Sequence, residues 1–364
     1  MLHSLDRSTV TDQVAGVHAR IRDEFPEIGR VAAALYDRSS DTLATFSHST
    51  DGETPLSRYE AHLSAVPSLQ RLAESRETRV IDDLALLAGS PSEHTRRVLE
   101  KGYRSSFTVP VFQNEALLGF LFFDAKEPSY FVAERIRRLG VYADLLASVL
   151  RESRQPVMVL HASLHMIIAL TRFRDAETAG HLYRVSHYSR LIARTLPPSD
   201  ELDDEFVEFL TLFSPAHDMG KIAIPDAILF KTSRLTPSEV LVMKRHVLAG
   251  VNMVDRLVRD LSLEEMPHLA MLRNIVGSHH ELMDGTGYPD GLAGDDIPLE
   301  ARIVGVADVF DALRSRRSYK KGWDVDAALA YLAARRGTHY DPACVDALAA
   351  SVARAPEPQS LAVH

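Results

Sequence analysis

The sequence predicts two domains of different class, an N-terminal α+β domain and a C-terminal all-α helical bundle. At 364 residues, the chain is longer than a usual single domain. Strand-like runs are confined to residues 5–150, whereas helical periodicity dominates after residue 157. Hydrophobic residues make up 46% and charged residues 25% of the chain, a composition typical of packed cores rather than disorder.

The N-terminal elements follow the order helix, two strands, helix, strand and hairpin. A helical start, "VTDQVAGVHARIRDEF", precedes the strand-like runs "RVAAALYD" and "TLATFSHS", which the turn-prone "RSSD" separates. A helical stretch near 59–75 leads to a short strand in "TRVIDD". The stretch "SSFTVPVFQNEALLGFLFFDA" predicts a β-hairpin with a Gln-Asn-Glu turn. We expect this domain to occupy residues 1–150.

A linker is predicted between the two domains. The stretch "SYFVAERIRRLGVYADLLASVLRES" has the period of a long amphipathic helix. Pro156 follows it and is expected to end the helix, because an internal proline removes a backbone hydrogen bond and clashes with the preceding turn. We therefore expect a linker over 151–157 and a second domain over 158–364. The amphipathic length of the helices around 130–170 also predicts a homodimer.

The second half consists of consecutive helical patterns. In one of them, "LTPSE" predicts a helix start with Thr236 as N-cap, Pro237 in the first turn and Glu239 three residues after the cap. The remaining patterns are "VMVLHASLHMIIALTRFRD", "HLYRVSHYSRLIARTL", "DEFVEFLTLFSPAHDMGKI", "HLAMLRNIVGSHHEL", "PLEARIVGVADVFDALRS" and "DVDAALAYLAARR".

Charge and cysteine content exclude several classes of function. The net charge of -9 argues against binding to a nucleic-acid polymer, which requires a basic surface. Cys344 is the only cysteine, so there is neither a disulfide framework nor a thiolate metal cluster. The N-terminus has no signal pattern, and no apolar run approaches the roughly 20 residues that span a bilayer. These observations predict a cytoplasmic protein that does not associate with membranes.

Histidines and acids at helical spacing predict a metal site in the bundle. An adjacent His-Asp pair and an Asp within apolar helices are costly to bury without a cation. Carboxylates and histidines that several helices bring together build di-iron and di-manganese centres. Imidazole and carboxylate without thiolate favour iron, manganese, zinc or nickel over Cu(I). The candidate ligands are Glu177, His181, His217, Asp218, His246, His279, His280 and Asp308.

Several motifs resemble known families. The stretches "HDMGK" and "HHELMDGTGYP" resemble the HD-GYP subfamily of the HD metal-dependent phosphohydrolases, and the similarity continues over about 160–345 through "MKRHVLAG", "ARIVGVADVFDAL" and "GTHYDP". Departures are small, with Ser318 in place of a usual Pro and "KTSRLT" in place of Lys-Pro-Gly. Over roughly 20–150, "VPVFQNEALLGFLFFD" and the helix after it resemble a GAF domain. That resemblance implies a sensory or dimerisation module with an unidentified small-molecule ligand.

The HD-GYP resemblance implies roles for individual residues. One metal would be held by His181, His217, Asp218 and Asp308, with Asp218 bridging to a second metal held by His246, His279 and His280. Glu177 implies a third ion in some members, so two or three divalent ions are expected, iron with manganese as the alternative.

The resemblance also implies the reaction, which is hydrolysis of cyclic di-GMP. Lys221 is expected to stabilise developing negative charge, and Asp311 to orient Lys221 through a salt bridge. Two further sets are expected to contact substrate, the loop residues Gly287, Tyr288 and Pro289 and the basic pair Arg317 and Lys320.

Three functions remain open from the sequence. The first is an active phosphodiesterase that converts cyclic di-GMP to pGpG and then to GMP. The second is a catalytically silent receptor for the dinucleotide, which the complete set of ligand residues disfavours. The third is an HD-type hydrolase acting on another cyclic dinucleotide.

Overall fold

The computed structural model describes residues 9–38, 40–52, 59–87, 93–174, 179–197, 202–315 and 322–353. Packing divides the chain into two units. The first comprises Met1–Pro156 with Asp203–Glu205, and the second comprises Val157–Leu202 with Phe206–His364.

The first unit is built on a six-stranded sheet with the order β3-β2-β1-β6-β5-β4, in which every neighbouring pair is antiparallel. The strands are β1 (Ile28–Asp37), β2 (Thr42–Thr50), β3 (Glu60–His62), β4 (Arg79–Ile81), β5 (Ser105–Gln113) and β6 (Ala116–Ala125). The helices are α1 (Val10–Glu24), α2 (Pro67–Ser75), α3 (Glu93–Glu100) and the start of α4 (Ala133–Arg174).

The predicted hairpin is confirmed as β5 and β6. Its turn lies at Asn114 and Glu115, whose backbone φ angles are both positive, a conformation that Asn tolerates better than most residues. The helix predicted near 59–75 is only partly correct. Its first residues form the short strand β3 and a 3₁₀ turn at Leu63–Ala65, and the α-helix begins at Pro67.

The predicted end of the helix at Pro156 is wrong, because α4 runs without interruption over 42 residues. Pro156 removes one backbone hydrogen bond, at a cost of about 3 kcal/mol. Buried apolar side chains lie on both sides of it, including Leu150, Val157 and Leu160. Packing of these residues offsets the lost hydrogen bond, so that 151–157 is helical rather than an extended linker.

The second unit is helical throughout its described part, apart from isolated bridge pairs. It contains the end of α4 and α5 (Ala179–Thr195), α6 (Asp204–Phe213), α7 (Asp226–Leu229), α8 (Pro237–Asp260), α9 (Leu269–Ser278), α10 (Leu299–Arg314), α11 (Val325–Ala333) and α12 (Pro342–Val352). The start of α8 is as predicted, since Thr236 and Glu239 bond each other's backbone N–H groups. The predicted fold class, α+β followed by all-α, is therefore confirmed.

None of the described helices combines the length and apolar character that crossing a membrane requires.

Candidate metal centre

Short backbone segments and helix ends position most of the candidate ligands. His181 lies in the first turns of α5, His246 in the middle of α8 and Asp308 in α10. The helix expected around His217 and Asp218 ends earlier, at Phe213. These two residues lie between the 3₁₀ turns Ser214–Ala216 and Met219–Ala223. His217 and Asp218 therefore lie on irregular backbone between two short turns rather than on a regular helix face.

Seven of the candidate residues converge into two groups. Within each group, one ligand atom per residue lies within 4.8 Å of all the others. Group 1 contains His181, His217 and Asp308, and group 2 contains Asp218, His246, His279 and His280.

Asp218 connects the two groups through its two carboxylate oxygens. Its Oδ1 lies 3.2 Å from His246 Nε2 and 3.8 Å from His279 Nε2. Its Oδ2 lies 3.3 Å from Nε2 of His217, a member of group 1. One carboxylate therefore faces both groups, which is the arrangement that a bridging ligand requires.

Hydrogen bonds at Nδ1 orient the buried imidazoles. His217 Nδ1 donates to Ser214 O at 2.8 Å, His246 Nδ1 to Met243 O at 2.8 Å, and His279 Nδ1 to Ile275 O at 2.9 Å. A carbonyl oxygen only accepts, so each Nδ1 carries the proton. In the neutral ring, the Nε2 lone pair is then available to a metal, as in most histidine metal sites.

The Nε2 atoms of these three histidines test whether the residues fit a metal. They are buried, as is Asp218 Oδ1, and none makes a hydrogen bond to the described chain. Buried polar atoms without partners are costly. Because Nε2 of His246 and of His279 faces Asp218 Oδ1 and Nε2 of His217 faces Asp218 Oδ2, bound cations are the partners that fit this donor set.

The surroundings tune the pKa values of these groups. Burial lowers the pKa of His279 and lowers that of His280 well below its ordinary value, so both imidazoles are neutral. Burial opposes ionisation of Asp218, but Lys221 and His217 hold its pKa well below the usual range. For His217, burial is outweighed by the carboxylates of Asp218 and Asp308, which raise its pKa to about 9. In the metal-free protein, Nε2 of His217 therefore also carries a proton, which a bound metal ion would displace.

A close backbone crossing places Asp218 beside the helix of His246. A Cβ atom added at Gly220 would lie 1.9 Å from His246 O and 2.5 Å from Gly250 N. No side chain fits at that distance, so Gly220 lets the 3₁₀ turn approach α8. This contact explains the glycine in "HDMGK". In "MKRHVLAG", a Cβ atom at Gly250 would instead lie 2.6 Å from Val276 Cγ1 of α9.

The predicted salt bridge between Asp311 and Lys221 is wrong. Lys221 Nζ instead lies 2.8 Å from Asp218 Oδ2. Asp311 is buried, accepts a hydrogen bond from His181 Nδ1 at 2.7 Å and forms an ion pair with Arg184. Asp311 lies three residues beyond Asp308 on α10, and its carboxylate is taken up by His181 and Arg184 from the facing helix α5 rather than by Lys221.

The Arg184 contact was missed by sequence reasoning. Its Nη2 also donates to Ser315 Oγ at 2.8 Å, and Ser315 Oγ donates to Asp311 Oδ2 at 3.0 Å. Arg184 follows His181 by three residues, so the helical spacing already places both side chains on one face. This three-residue spacing is the feature of the sequence from which a role for Arg184 beside His181 could have been predicted.

The loop after α9 packs against group 2. The ring of Tyr288 stacks on His280 with centroids 4.7 Å apart, and Lys244 Nζ lies 4.3 Å from the Tyr288 centroid. The buried Glu281 accepts hydrogen bonds from the backbone of Asp290 and Gly291. Lys244 and Glu281 were not predicted from the sequence.

A cavity of about 340 Å³ lies beside this loop. Its lining includes Tyr288, Gly287 and Lys244 together with the group 2 ligands His279 and His280. Pro289, which follows Tyr288 through a cis peptide bond, is exposed. The predicted loop residues Gly287 and Tyr288 are therefore brought next to the ligands. Glu177, Arg317 and Lys320 lie outside the described residues.

A helical bundle that gathers histidines and aspartates into two adjoining groups is the architecture of a metal-dependent protein. Residues 163–344, half of the chain, match the family model described as the HD domain. The chain therefore belongs to the HD domain family.

Several characterised proteins are similar to this chain. It is 46% identical over 213 residues to the cyclic di-GMP phosphodiesterase response regulator RpfG of Xanthomonas campestris pv. campestris, covering 58% of this chain and 52% of that protein. It is 38% identical over 207 residues to a probable cyclic di-GMP phosphodiesterase of Vibrio cholerae, covering 56% and 47%.

A third similar protein is the 3'3'-cGAMP-specific phosphodiesterase 2 of Vibrio cholerae, which is 39% identical over 175 residues, covering 48% of this chain and 31% of that protein. The chain thus spans about half the length of the first two relatives, or less in the third case.

Proposed function

We propose that this chain is a metal-dependent phosphodiesterase that hydrolyses cyclic di-GMP, with either pGpG or GMP as the final product. The observation that carries the proposal is the position of Asp218, whose two oxygens face both ligand groups. Two similar proteins bear the name cyclic di-GMP phosphodiesterase, which supports the class of substrate.

The metal ions would be held by the residues of groups 1 and 2, with Asp218 shared. When bound, adjacent divalent ions neutralise the charge of a phosphodiester and activate water for in-line attack on phosphorus. The imidazole and carboxylate ligand set supports iron, with manganese as the alternative. We assign Glu177 to a third ion.

The chain's own side chains have separate tasks around these ions. Lys221 holds its ammonium at the edge of the ligand cluster, 2.8 Å from Asp218 Oδ2, where it stabilises negative charge that develops on phosphate or on the leaving oxygen. Asp311 fixes the ring of His181 through Nδ1. We therefore retain Asp311 as a residue of the catalytic centre, acting through His181 instead of Lys221.

The loop and the basic pair are proposed to bind the substrate. Burial raises the pKa of Tyr288, so its phenol stays protonated at neutral pH and is a hydrogen-bond donor for a bound nucleotide. Its ring and the backbone at Gly287 and Pro289 would form one side of the binding site, where an aromatic ring and close backbone supply contacts to a nucleotide. Arg317 and Lys320 would contact phosphate or a guanine edge.

One relative supports a second candidate substrate, since it is named for 3'3'-cGAMP. The test is product analysis. Protein purified without oxygen is supplied with Fe(II) or Mn(II) and incubated in separate reactions with cyclic di-GMP and 3'3'-cGAMP, and the products are separated by chromatography. Asp218→Ala is run in parallel.

Formation of pGpG by the wild type and not by Asp218→Ala supports the proposal. Faster turnover of 3'3'-cGAMP would shift the assignment to the mixed dinucleotide. Binding of cyclic di-GMP without product under either metal would contradict the enzyme and leave a silent receptor.

We further propose that the chain forms a homodimer through α4. This helix exposes large apolar side chains in both of its halves, and clustered exposed apolar side chains mark interaction surfaces. The exposed residues are Val141, Leu145, Met158, Val159, Met166 and Leu170. A monomeric mass by light scattering at micromolar concentration would contradict the dimer.

A further inference from the structure

One face of the N-terminal sheet carries two separate apolar clusters instead of one continuous core. The first cluster includes Leu69 and Leu72 of α2 with Phe120 and Phe122 of β6. The second includes Val98 of α3 with Leu84 and Tyr103, and Ile81 of β4 packs against it. A domain core is usually contiguous. The residues between these two clusters are polar.

Strand register places these polar residues on the same face. Arg30 of β1 is directly opposite Asp124 of β6, which is opposite Ser106 of β5. Side chains directly opposite in an antiparallel pair lie on one face. Arg30 is also opposite Thr50 on its other side. These four residues therefore form one row across the sheet.

A second row lies two residues along each strand, on the same face. His48 is opposite Ala32, Ala32 is opposite Phe122, Phe122 is opposite Thr108, and Thr108 is opposite Arg79. We call the polar residues of both rows the polar band. They are Arg30, Asp124, Ser106, Thr50, His48, Thr108 and Arg79.

The polar band contains more positive charge and more donors than its own residues can satisfy. Arg30 forms an ion pair with Asp124, and both side chains are almost completely buried. Arg79 Nη2 donates to Thr108 Oγ1 at 3.2 Å. Burial and the charge of Arg30 lower the pKa of His48 to about 4, so His48 is neutral. Among the described residues of the band, two guanidinium groups thus face a single carboxylate.

Four polar atoms of the band are buried and have no hydrogen-bond partner in the described chain. They are Arg30 Nε, Arg79 Nε, His48 Nδ1 and Thr50 Oγ1. Buried donors are almost always satisfied in folded proteins. His48, Thr50 and Arg79 are only half-buried, so this end of the band lies near the surface, while the four unpaired atoms themselves are covered.

We propose that the polar band is a binding site for a small organic anion carrying one carboxylate. Guanidinium groups bind carboxylates through paired N–H groups, and one negative charge balances the second arginine. The apolar clusters on either side would contact the non-polar remainder of the ligand. The site uses residues of the N-terminal unit alone and is separate from the metal ligands.

The experiment is an NMR titration of the full-length protein labelled with ¹³C on its histidine rings. The resonance of His48 is assigned by comparison with His48→Gln. Acetate is titrated at constant ionic strength, and inorganic phosphate is titrated in a second arm. The variants are Arg79→Gln, Arg79→Lys and, as a control of equal charge change, Arg20→Gln, which removes an exposed arginine of α1. No metal ligand is substituted in any variant. Binding of acetate or phosphate at the metal centre therefore contributes equally to every titration and does not affect the comparison.

The proposal predicts that acetate shifts the His48 resonance saturably in the wild type and in Arg20→Gln. In Arg79→Gln the apparent dissociation constant should rise at least about tenfold, the loss expected for one charged hydrogen-bonding partner. Arg79→Lys keeps the positive charge but lacks the paired N–H groups of a guanidinium. Its dissociation constant for acetate should lie between those of the wild type and Arg79→Gln, and this variant provides the test if Arg79→Gln does not fold.

An unchanged His48 resonance, or the same acetate affinity with and without Arg79, overturns the site. Tighter saturation by phosphate than by acetate overturns the carboxylate assignment and indicates a phosphate-bearing ligand.

Discussion

The two ligand groups of the metal centre are supported by different parts of the chain. In group 2, the rings of His246 and His279 are held by main-chain carbonyls of their own helices. In group 1, His217 also has a backbone support, but His181 is held by the buried carboxylate of Asp311, which Arg184 neutralises in turn. Backbone supports cannot be removed by substitution, whereas side-chain supports can. His181 is therefore the imidazole ligand whose hydrogen-bonded support is open to change by single substitutions.

Asp218 is the residue common to both groups, so its substitution should have the largest effect. Asp218→Asn keeps the shape but removes the charge that faces both sets of imidazoles. We expect the loss of metal from both groups, and a fall in kcat of at least about 10³-fold because the nucleophile-activating ions are absent. Metal analysis of the purified variant alongside its turnover of cyclic di-GMP checks this. Full metal content with normal turnover would refute the bridging role.

Arg184→Gln is expected to weaken metal binding at group 1 and not at group 2. The substitution leaves the carboxylate of Asp311 buried with one partner fewer, and supports of this kind typically contribute 10–100-fold in metal affinity. Affinity should fall by about that factor at group 1 while group 2 keeps its ion. Equilibrium dialysis with metal analysis measures both.

The matched control for this experiment is Arg190→Gln. Arg190 lies on the same helix and bonds Glu208 and Thr211 of α6. If Arg190→Gln weakens metal binding as much as Arg184→Gln, the effect is one of helix stability and the distinction between the groups fails.

Lys221→Met should lower the turnover rate without loss of metal from either group. No predicted metal ligand is removed, while the charge next to Asp218 Oδ2 is lost. By analogy with other preorganised charge-stabilising groups, kcat should fall about 10²–10³-fold. Metal content should stay near the wild-type value. A variant that retains wild-type kcat would exclude Lys221 from charge stabilisation.

The smallest effect is expected at the loop beside group 2. Lys244→Gln removes the ammonium over the Tyr288 ring, a contact of about 0.5–1 kcal/mol. We expect KM for the dinucleotide to rise about two- to fivefold, with kcat unchanged. Steady-state kinetics on the metal-loaded enzyme measures this, and a fall in kcat without a change in KM would contradict a role confined to the loop.

The sequence predicted which residues gather as candidate metal ligands better than it predicted which residues hydrogen-bond to them. Helical periodicity and the spacing of histidines identified seven residues that the structure brings into two groups, because ligand chemistry is local to each motif. The partner of Asp311 was predicted wrongly because the choice between Lys221 and Arg184 depends on how α5 and α10 face each other. Likewise, Pro156 is a local helix-breaking signal that packing on both sides overrides.

In the N-terminal unit, by contrast, the candidate site could not be predicted from local motifs. Its strand order could be anticipated only as a general α+β pattern, whereas the polar band appears once the register of five strands is known. Residues as distant in sequence as Arg30, Arg79 and Asp124 carry no shared motif. Only pairing across the sheet brings them onto one face.

The most direct test of the bridged two-group centre is anomalous diffraction from crystals grown without oxygen in the presence of Mn(II). The account predicts at least two peaks, of which two lie about 3.5–4 Å apart, one against His181, His217 and Asp308 and one against His246, His279 and His280. Asp218 should contact both. A further peak would belong to the ion assigned to Glu177. A single peak, or two peaks that share no contact with Asp218, would contradict it.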